Sequence, residues 1–202
     1  MSKSQGDLIE SRVHTEFGRR DFLIRIMKVS STGAVVALIP SAIITRALAA
    51  AAPNQNEWRQ CKKCSSLFYD GYRSKGRCPA AGGHVADVYH DYLLTYDSAG
   101  PGQRDWRFCN KCETLFFDGY PNKGVCMGGG GHVAAGFNFT LRYPARGRQF
   151  DYWSFDWRFC NKCETLFFDG ERSKGACAAG GGHVAAGYHF ALESKRSPID
   201  PP

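Results

Sequence analysis

WRFCNKCETLFFDG, residues 106–119, recurs letter for letter at residues 157–170, and a looser copy, WRQCKKCSSLFYDG, occupies residues 58–71. Each copy carries a Cys-x-x-Cys pair. Thirteen residues separate that pair from a third cysteine, and five more separate the third cysteine from a histidine. The three sets are Cys61, Cys64, Cys78 and His84; Cys109, Cys112, Cys126 and His132; and Cys160, Cys163, Cys177 and His183. The chain has nine cysteines, and the three sets use all of them. Successive tryptophans stand 48 residues apart (Trp58 to Trp106) and 51 apart (Trp106 to Trp157). A period in this range marks a tandem-repeat architecture.

Three thiolates and an imidazole suit a zinc ion and fill its tetrahedral shell. A filled shell leaves no position for a reacting water, which makes the sites structural, and the cofactor expected is zinc, three ions per chain. Units of about 50 residues bury little apolar surface alone, so a metal staple answers a physical need. One disulfide per repeat with a spare thiol is the rival, although three cysteines per repeat fit a disulfide framework poorly. An iron–sulfur centre usually takes four cysteines. A thioredoxin-like pair belongs at a helix N-terminus, and no such context is visible. His14, His90 and His189 fall outside the repeat register and read as ordinary histidines.

Around the ligands the pattern is that of short strands. Leu67-Phe68-Tyr69 is a short apolar run before Asp70-Gly71, a hairpin-type turn signal. Glycines before His84 let the backbone curl so that Cys78 and His84 face one point. Each repeat closes on an alternating stretch, with Phe137, Phe139, Leu141 and Tyr143 on one face in the second. The first repeat has one extra residue before its closing strand, read as a bulge that keeps Tyr92 in register with Phe139 and Phe190. No helical period shows outside the N-terminal segment. The fold class expected is therefore all-β: three tandem Cys3His zinc-ribbon-like repeats packed with pseudo-threefold symmetry, β-trefoil-like. The alternative is three independent beads. Closure is favoured because the recurring Trp and Phe clusters would otherwise be exposed. The divisions read as a signal peptide (1–49), a linker (50–57), repeat 1 (58–97), a linker (98–105), repeat 2 (106–143), a linker (144–156), repeat 3 (157–193) and a disordered tail (194–202).

The formal charge of +7 is inflated by residues 1–49, which hold seven Lys/Arg and four Asp/Glu. A weakly basic remainder, drawn down further by thiolate-rich sites, gives no basic stripe and argues against a nucleic-acid partner. The recurring Asp70, Asp118 and Asp169 precede glycine and are explained by turns. Trp58, Trp106 and Trp157 read as core. The aromatic residues best placed to stack on a sugar face are in the second linker, where Tyr152 and Trp153 follow Arg146 and Arg148.

Arg19-Arg20-Asp21-Phe22-Leu23 leads through Ile24–Lys28 into a modest apolar run, Gly33–Ile44, then Arg46 and the small-x-small stretch Ala47-Leu48-Ala49. This resembles a twin-arginine (Tat) signal peptide, whose motif joins Arg19 and Arg20 to Phe22 and Leu23. An ordinary secretory signal or an uncleaved anchor are the alternatives. The apolar run is shorter than the roughly 20 residues a spanning helix needs, so no stable span is expected after cleavage. The Tat resemblance implies export of a protein already folded, with the Tat machinery as a partner and the periplasm or the exterior as the destination. Thiolates loaded with metal before export would be shielded from oxidants.

The pattern W-R-x-C-x-K-C-x-x-L-F-F/Y, then C, then G-G-x-H, resembles cysteine-rich repeats of secreted bacterial proteins, often found in threes. The resemblance covers nearly all of residues 58–193, implies an extracytoplasmic module and supplies no catalytic residues. No nucleophile triad, carboxylate pair or phosphate loop stands out in the sequence. The expected function is a non-catalytic, zinc-stabilised binding module with a glycan or cell-envelope ligand. The other reading is a metal-handling or thiol-redox protein of the periplasm.

Overall fold

The computed structural model describes residues 52–144 and 153–196. The export residues Arg19, Arg20, Phe22 and Leu23, and the linker residues Arg146, Arg148 and Tyr152, lie outside the described residues. The described chain is all β: β1 (Asn54–Gln60), β2 (Leu67–Tyr69), β3 (His90–Tyr96), β4 (Gln103–Cys109), β5 (Leu115–Phe117), β6 (Ala134–Leu141), β7 (Trp153–Cys160), β8 (Leu166–Phe168) and β9 (Ala185–Arg196). Each repeat supplies three of these, a long opening strand paired antiparallel both to a short strand and to a long closing strand.

The repeats close on one another rather than standing as beads. At one end the short strands form a triangle of bridges, Phe68↔Thr114, Phe116↔Thr165 and Ser66↔Phe167, each joining one repeat to another. Backbone N–H groups of Tyr69, Phe117 and Phe168 donate to the carbonyls of Glu113, Glu164 and Ser65 at 2.9–3.0 Å, which carries the ring from repeat 1 to 2, 2 to 3 and 3 to 1. At the other end the closing strands meet: β3 pairs with β6 and with β9, and Arg142↔Ala191 bridges β6 and β9. The result is a three-lobed, near-closed barrel.

The core follows the same cycle. Trp58, Trp106 and Trp157 are fully buried. Each stands edge-on to the closing-strand aromatic of another repeat: Trp58 to Phe139 at 5.2 Å, Trp106 to Phe190 at 5.3 Å, and Trp157 to Tyr92 at 5.0 Å. Edge-to-face rings at such distances satisfy the aromatic quadrupoles while burying large apolar areas. The indole N–H groups are satisfied by Gln55, Gln103 and Ser154, three residues upstream in each case. Leu94, Leu141 and Leu192 complete the layer.

The extra residue of repeat 1 sits where a bulge was expected. Tyr92 pairs with Trp58 as Phe139 pairs with Trp106 and Phe190 with Trp157, and the surplus is taken up between Ala86 and Tyr92. Other expectations are corrected. The tight hairpin of each repeat is the Cys-x-x-Cys turn between β1 and β2, not Asp70-Gly71. Asp70 instead opens a long strandless loop, because Lys75 pins it: its Nζ meets the Asp70 carboxylate at 2.7 Å and the carbonyls of Asp70 and Tyr72. Lys123–Asp118 and Lys174–Asp169 repeat the arrangement. The opening strands begin inside the stretches read as linkers, since Gln55, Gln103 and Ser154 must sit in line to cap the indoles. Ser194–Arg196, read as disordered tail, continue β9 and pair with His90–Tyr92, whose backbone groups would otherwise form an unpaired edge. On β6, only Phe139 and Leu141 of the alternating face are buried; Phe137 and Tyr143 flank them at the surface.

One glycine per repeat is fixed by this closure. Gly76, Gly124 and Gly175 have φ of +55°, +60° and +62°, and a Cβ on any of them would run into the backbone carbonyl of Cys112, Cys163 or Cys64 respectively. Gly129 also has a positive φ, yet nothing lies within 4 Å of where its Cβ would be, and Ala81 occupies the same place in repeat 1 at φ 77°. Gly124→Ala is therefore expected to cost about 2–4 kcal/mol and Gly129→Ala about 1 kcal/mol or less. Denaturant unfolding of the two variants beside the parent checks this ordering, and equal losses would refute the close-approach argument.

Candidate metal centres

Each quartet is assembled from two pieces. The hairpin turn holds the first pair: in repeat 1, Cys61 N–H donates to the Ser66 carbonyl and Ser65 N–H to the Cys61 carbonyl, at 2.9 and 2.8 Å. The glycine-rich loop holds the rest, with Cys78 N–H donating to Gly82 at 2.8 Å and His84 N–H to Lys75 at 2.7 Å. A further bond, Lys62 N–H to the Val85 carbonyl at 2.9 Å, joins the two pieces. Repeats 2 and 3 use the same bonds at Cys126, His132 and Asn110, and at Cys177, His183 and Asn161.

The three predicted quartets are all brought together, each fully buried, with donor atoms lying within 4.8 Å of one another. The first and third cysteine sulfurs are 3.9, 3.8 and 3.9 Å apart in the three sites. The second cysteine sulfur lies 3.5, 3.4 and 3.5 Å from the histidine Nδ1. Metal–sulfur bonds of about 2.3 Å in a tetrahedron give S···S edges of about 3.8 Å, so these spacings fit one tetrahedral ion per site. A disulfide needs its sulfurs at about 2.05 Å, and all nine cysteines are free thiols.

The imidazoles are oriented from behind. The Nε2 atoms of His84, His132 and His183 lie 3.1, 3.0 and 3.0 Å from the carbonyl oxygens of Cys112, Cys163 and Cys64. A carbonyl can only accept, so Nε2 carries the proton and Nδ1 presents its lone pair to the ion. Each ring also stacks on a core phenylalanine, His84 on Phe68, His132 on Phe116 and His183 on Phe167, at 4.7–4.8 Å. In repeats 2 and 3 the hydroxyls of Thr114 and Thr165 stand 3.1 Å from the sulfurs of Cys112 and Cys163, where they can donate to thiolate. In repeat 1 the equivalent Ser66 hydroxyl bonds to His183 Nε2 instead.

Protons and a cation compete for these atoms. Hydrogen bonding from Cys64, against burial, pulls Cys61 down to about 3 and Cys78 to about 5. The same bonds, with burial, push Cys64 far up. Burial lowers His84, but the hydrogen bonds and charge of Cys61 and Cys78 outweigh it and raise the imidazole to about 9; His132 and His183 follow the same pattern. Cys109 and Cys160 are lowered and Cys112 and Cys163 raised, again through their mutual hydrogen bonds.

His90 and His189 take no part: His90 packs near Tyr92, and His189 meets Arg158 at 2.9 Å. Trp153, the described member of the linker set, opens β7 and lines a small cleft with Leu93, Leu94, Arg142 and Glu193. Among the described residues no helix is long and apolar enough to cross a membrane. No protein family, curated protein or solved structure matches the chain. The backing residues that sequence reading did not single out are Phe68, Phe116 and Phe167, the three glycines at the cysteine carbonyls, and Lys75, Lys123 and Lys174. Their recurrence in register was the available signal.

At neutral pH the His84 proton and the Cys64 proton must both leave when a cation enters the first site, about two in all. Metal affinity of the first site in refolded, chelator-stripped protein should thus rise about a hundredfold per pH unit between 6 and 8 and about tenfold per unit above 9, where His84 has lost its proton and Cys64 still holds one. Calorimetric titration in buffers of different ionisation enthalpy measures the released protons directly, and a proton count near zero would contradict the assignment.

Proposed function

We propose that this chain is an exported, non-catalytic binding module whose fold is stapled by three zinc ions. The carrying observation is that each donor set is complete and shielded: three cysteines and one histidine, all buried, at tetrahedral spacings. The chemistry of the set favours zinc, since mixed thiolate and imidazole ligation in a closed tetrahedron is its habitual structural environment. A closed shell has no open position for substrate or water, so catalysis through the metal is not part of this reading. Burial also weighs against thiol-redox cycling, because every cysteine is 5% exposed or less. Elemental analysis of the native protein, with a thiol count, should return about three zinc ions and nine free thiols per chain. Disulfide-bonded material free of metal would remove the reading.

Export follows from Arg19, Arg20, Phe22 and Leu23, and the Tat route is consistent with folding and metal loading before translocation. Replacing Arg19 and Arg20 together by Lys should hold the protein in the cytoplasm of cells that otherwise export it. Cell fractionation reads the outcome, and export undiminished by the double change would point to another route. The ligand class in this reading is a glycan or other component of the cell envelope.

A further inference from the structure

We propose that two seams between repeats, an aromatic cleft joining repeats 1 and 2 and its counterpart joining repeats 2 and 3, each bind a pyranose ring of a neutral glycan. This rests on the envelope-glycan reading above and assigns it a site. The first cleft is lined by Gln55, Tyr69, Tyr72, Phe108, Phe137 and Phe139 and holds about 330 Å³ of empty space open to solvent. Tyr72 stands edge-on to Tyr69 at 5.0 Å and to Phe108 at 5.8 Å, and Phe108 is edge-on to Tyr69 at 6.1 Å. Tyr72 is nevertheless 53% exposed and Phe137 39%, so the rings present apolar surface to water. Phe137 is held in place by stacking on Tyr96 at 3.9 Å.

The second seam repeats the construction. Tyr120 is edge-on to Phe117 at 5.0 Å and to Phe159 at 6.0 Å, and Phe117 to Phe159 at 6.1 Å. Tyr120 and Tyr188, the counterparts of Tyr72 and Phe137, are 50% and 58% exposed. The third seam does not repeat it. Gln60 stands where Phe108 and Phe159 do, and Glu171 where Tyr72 and Tyr120 do. The fold therefore closes at one seam without either aromatic, and closure alone does not call for them at the other two.

The lining selects the ligand's chemistry. No charged side chain lines the first cleft. Its polar side-chain groups are the Gln55 amide, whose oxygen already accepts from the Trp58 indole, the Tyr69 hydroxyl, which donates to the Glu57 carboxylate at 3.2 Å, and the Tyr72 hydroxyl. Aromatic walls with a few placed neutral hydrogen-bonding groups match a ring that is apolar on its C–H faces and hydroxylated at its edge. A quaternary ammonium group would also favour aromatic walls, and it is the competitor the experiment must separate.

The metal-loaded protein is titrated with chitohexaose, cellohexaose and mannohexaose, and separately with tetramethylammonium, by calorimetry and by NMR of the aromatic ring protons. At least one oligosaccharide is expected to bind and to shift Tyr72, Phe108 and Phe137. The double variant Tyr72→Ala with Tyr120→Ala should bind it at least tenfold more weakly, with metal content and melting temperature retained. Should that variant misfold, the ring-proton shifts of the parent protein still decide the location. Oligosaccharide binding that leaves these rings unmoved, or that the double variant retains, overturns the cleft and spares the glycan reading. Binding of none of the three sugars overturns the cleft and removes these glycan classes as ligands, and tetramethylammonium binding in their place overturns the pyranose assignment.

Discussion

The hydrogen bond from each metal-site histidine to a cysteine carbonyl one repeat further on is the constraint around which the molecule is arranged. It fixes the tautomer that frees Nδ1 for the ion, and it crosses a repeat boundary while doing so. A site thus cannot be finished within its own repeat, because the orienting carbonyl belongs to the neighbour's Cys-x-x-Cys turn. The cycle runs 1 to 2, 2 to 3 and 3 to 1, so three local sites become one closed object. Individually such bonds contribute only about 1 kcal/mol net. Their weight is geometric: Gly76, Gly124 and Gly175 lie against the same carbonyls, and only a glycine leaves room for the approach.

This explains the division of labour between metal and core. Below the sites a thin layer of Trp, Leu and Phe or Tyr closes the barrel. Above it the chain is loops rich in glycine, and among the described residues the large rings buried there are a stacked Phe–His pair in each lobe. An ion held by the four donors would do there what an apolar cluster does in a larger domain: tie distant segments together at a fixed spacing. The lysine–aspartate pins of the loop after β2, β5 and β8 do the same at the surface, where exposed pairs set a loop's path more than they stabilise it.

Repetition made much of this readable from the chain alone. Twelve ligands in register, three recurring tryptophans and alternating closing strands pointed to three metal sites on a closed all-β body. What escaped were features that belong to pairs of repeats. The glycines at positions 76, 124 and 175 carry no local sign of their role, because the carbonyl they meet comes from another lobe. Ser194–Arg196 looked like tail, because the edge they cover, His90–Tyr92, is more than a hundred residues earlier in the chain. Tyr72 and Phe108 each carry a separate explanation, a turn and a core position, and only their meeting across a seam makes a cleft. Arg146, Arg148, Tyr152 and Trp153 stand out locally instead, because there aromatics and arginines are close together in the chain.

The departures from threefold symmetry fall at one seam, and they compensate one another. Repeats 3 and 1 meet where the chain is not continuous, and there the aromatic pair is replaced by Gln60 and Glu171. The same seam has the longest ladder between lobes: His90–Leu93 pair with Glu193–Arg196, whereas β3 and β6 meet only at Thr95 and Tyr96, and β6 and β9 at a single bridge. Backbone pairing there takes over the joining that ring packing assists elsewhere, because β9 runs on past the point where β6 ends. The two remaining seams have shorter ladders and half-exposed rings. A closed threefold body needs each seam joined, but not by the same means, and that latitude lets two seams carry surface aromatics that the third does without.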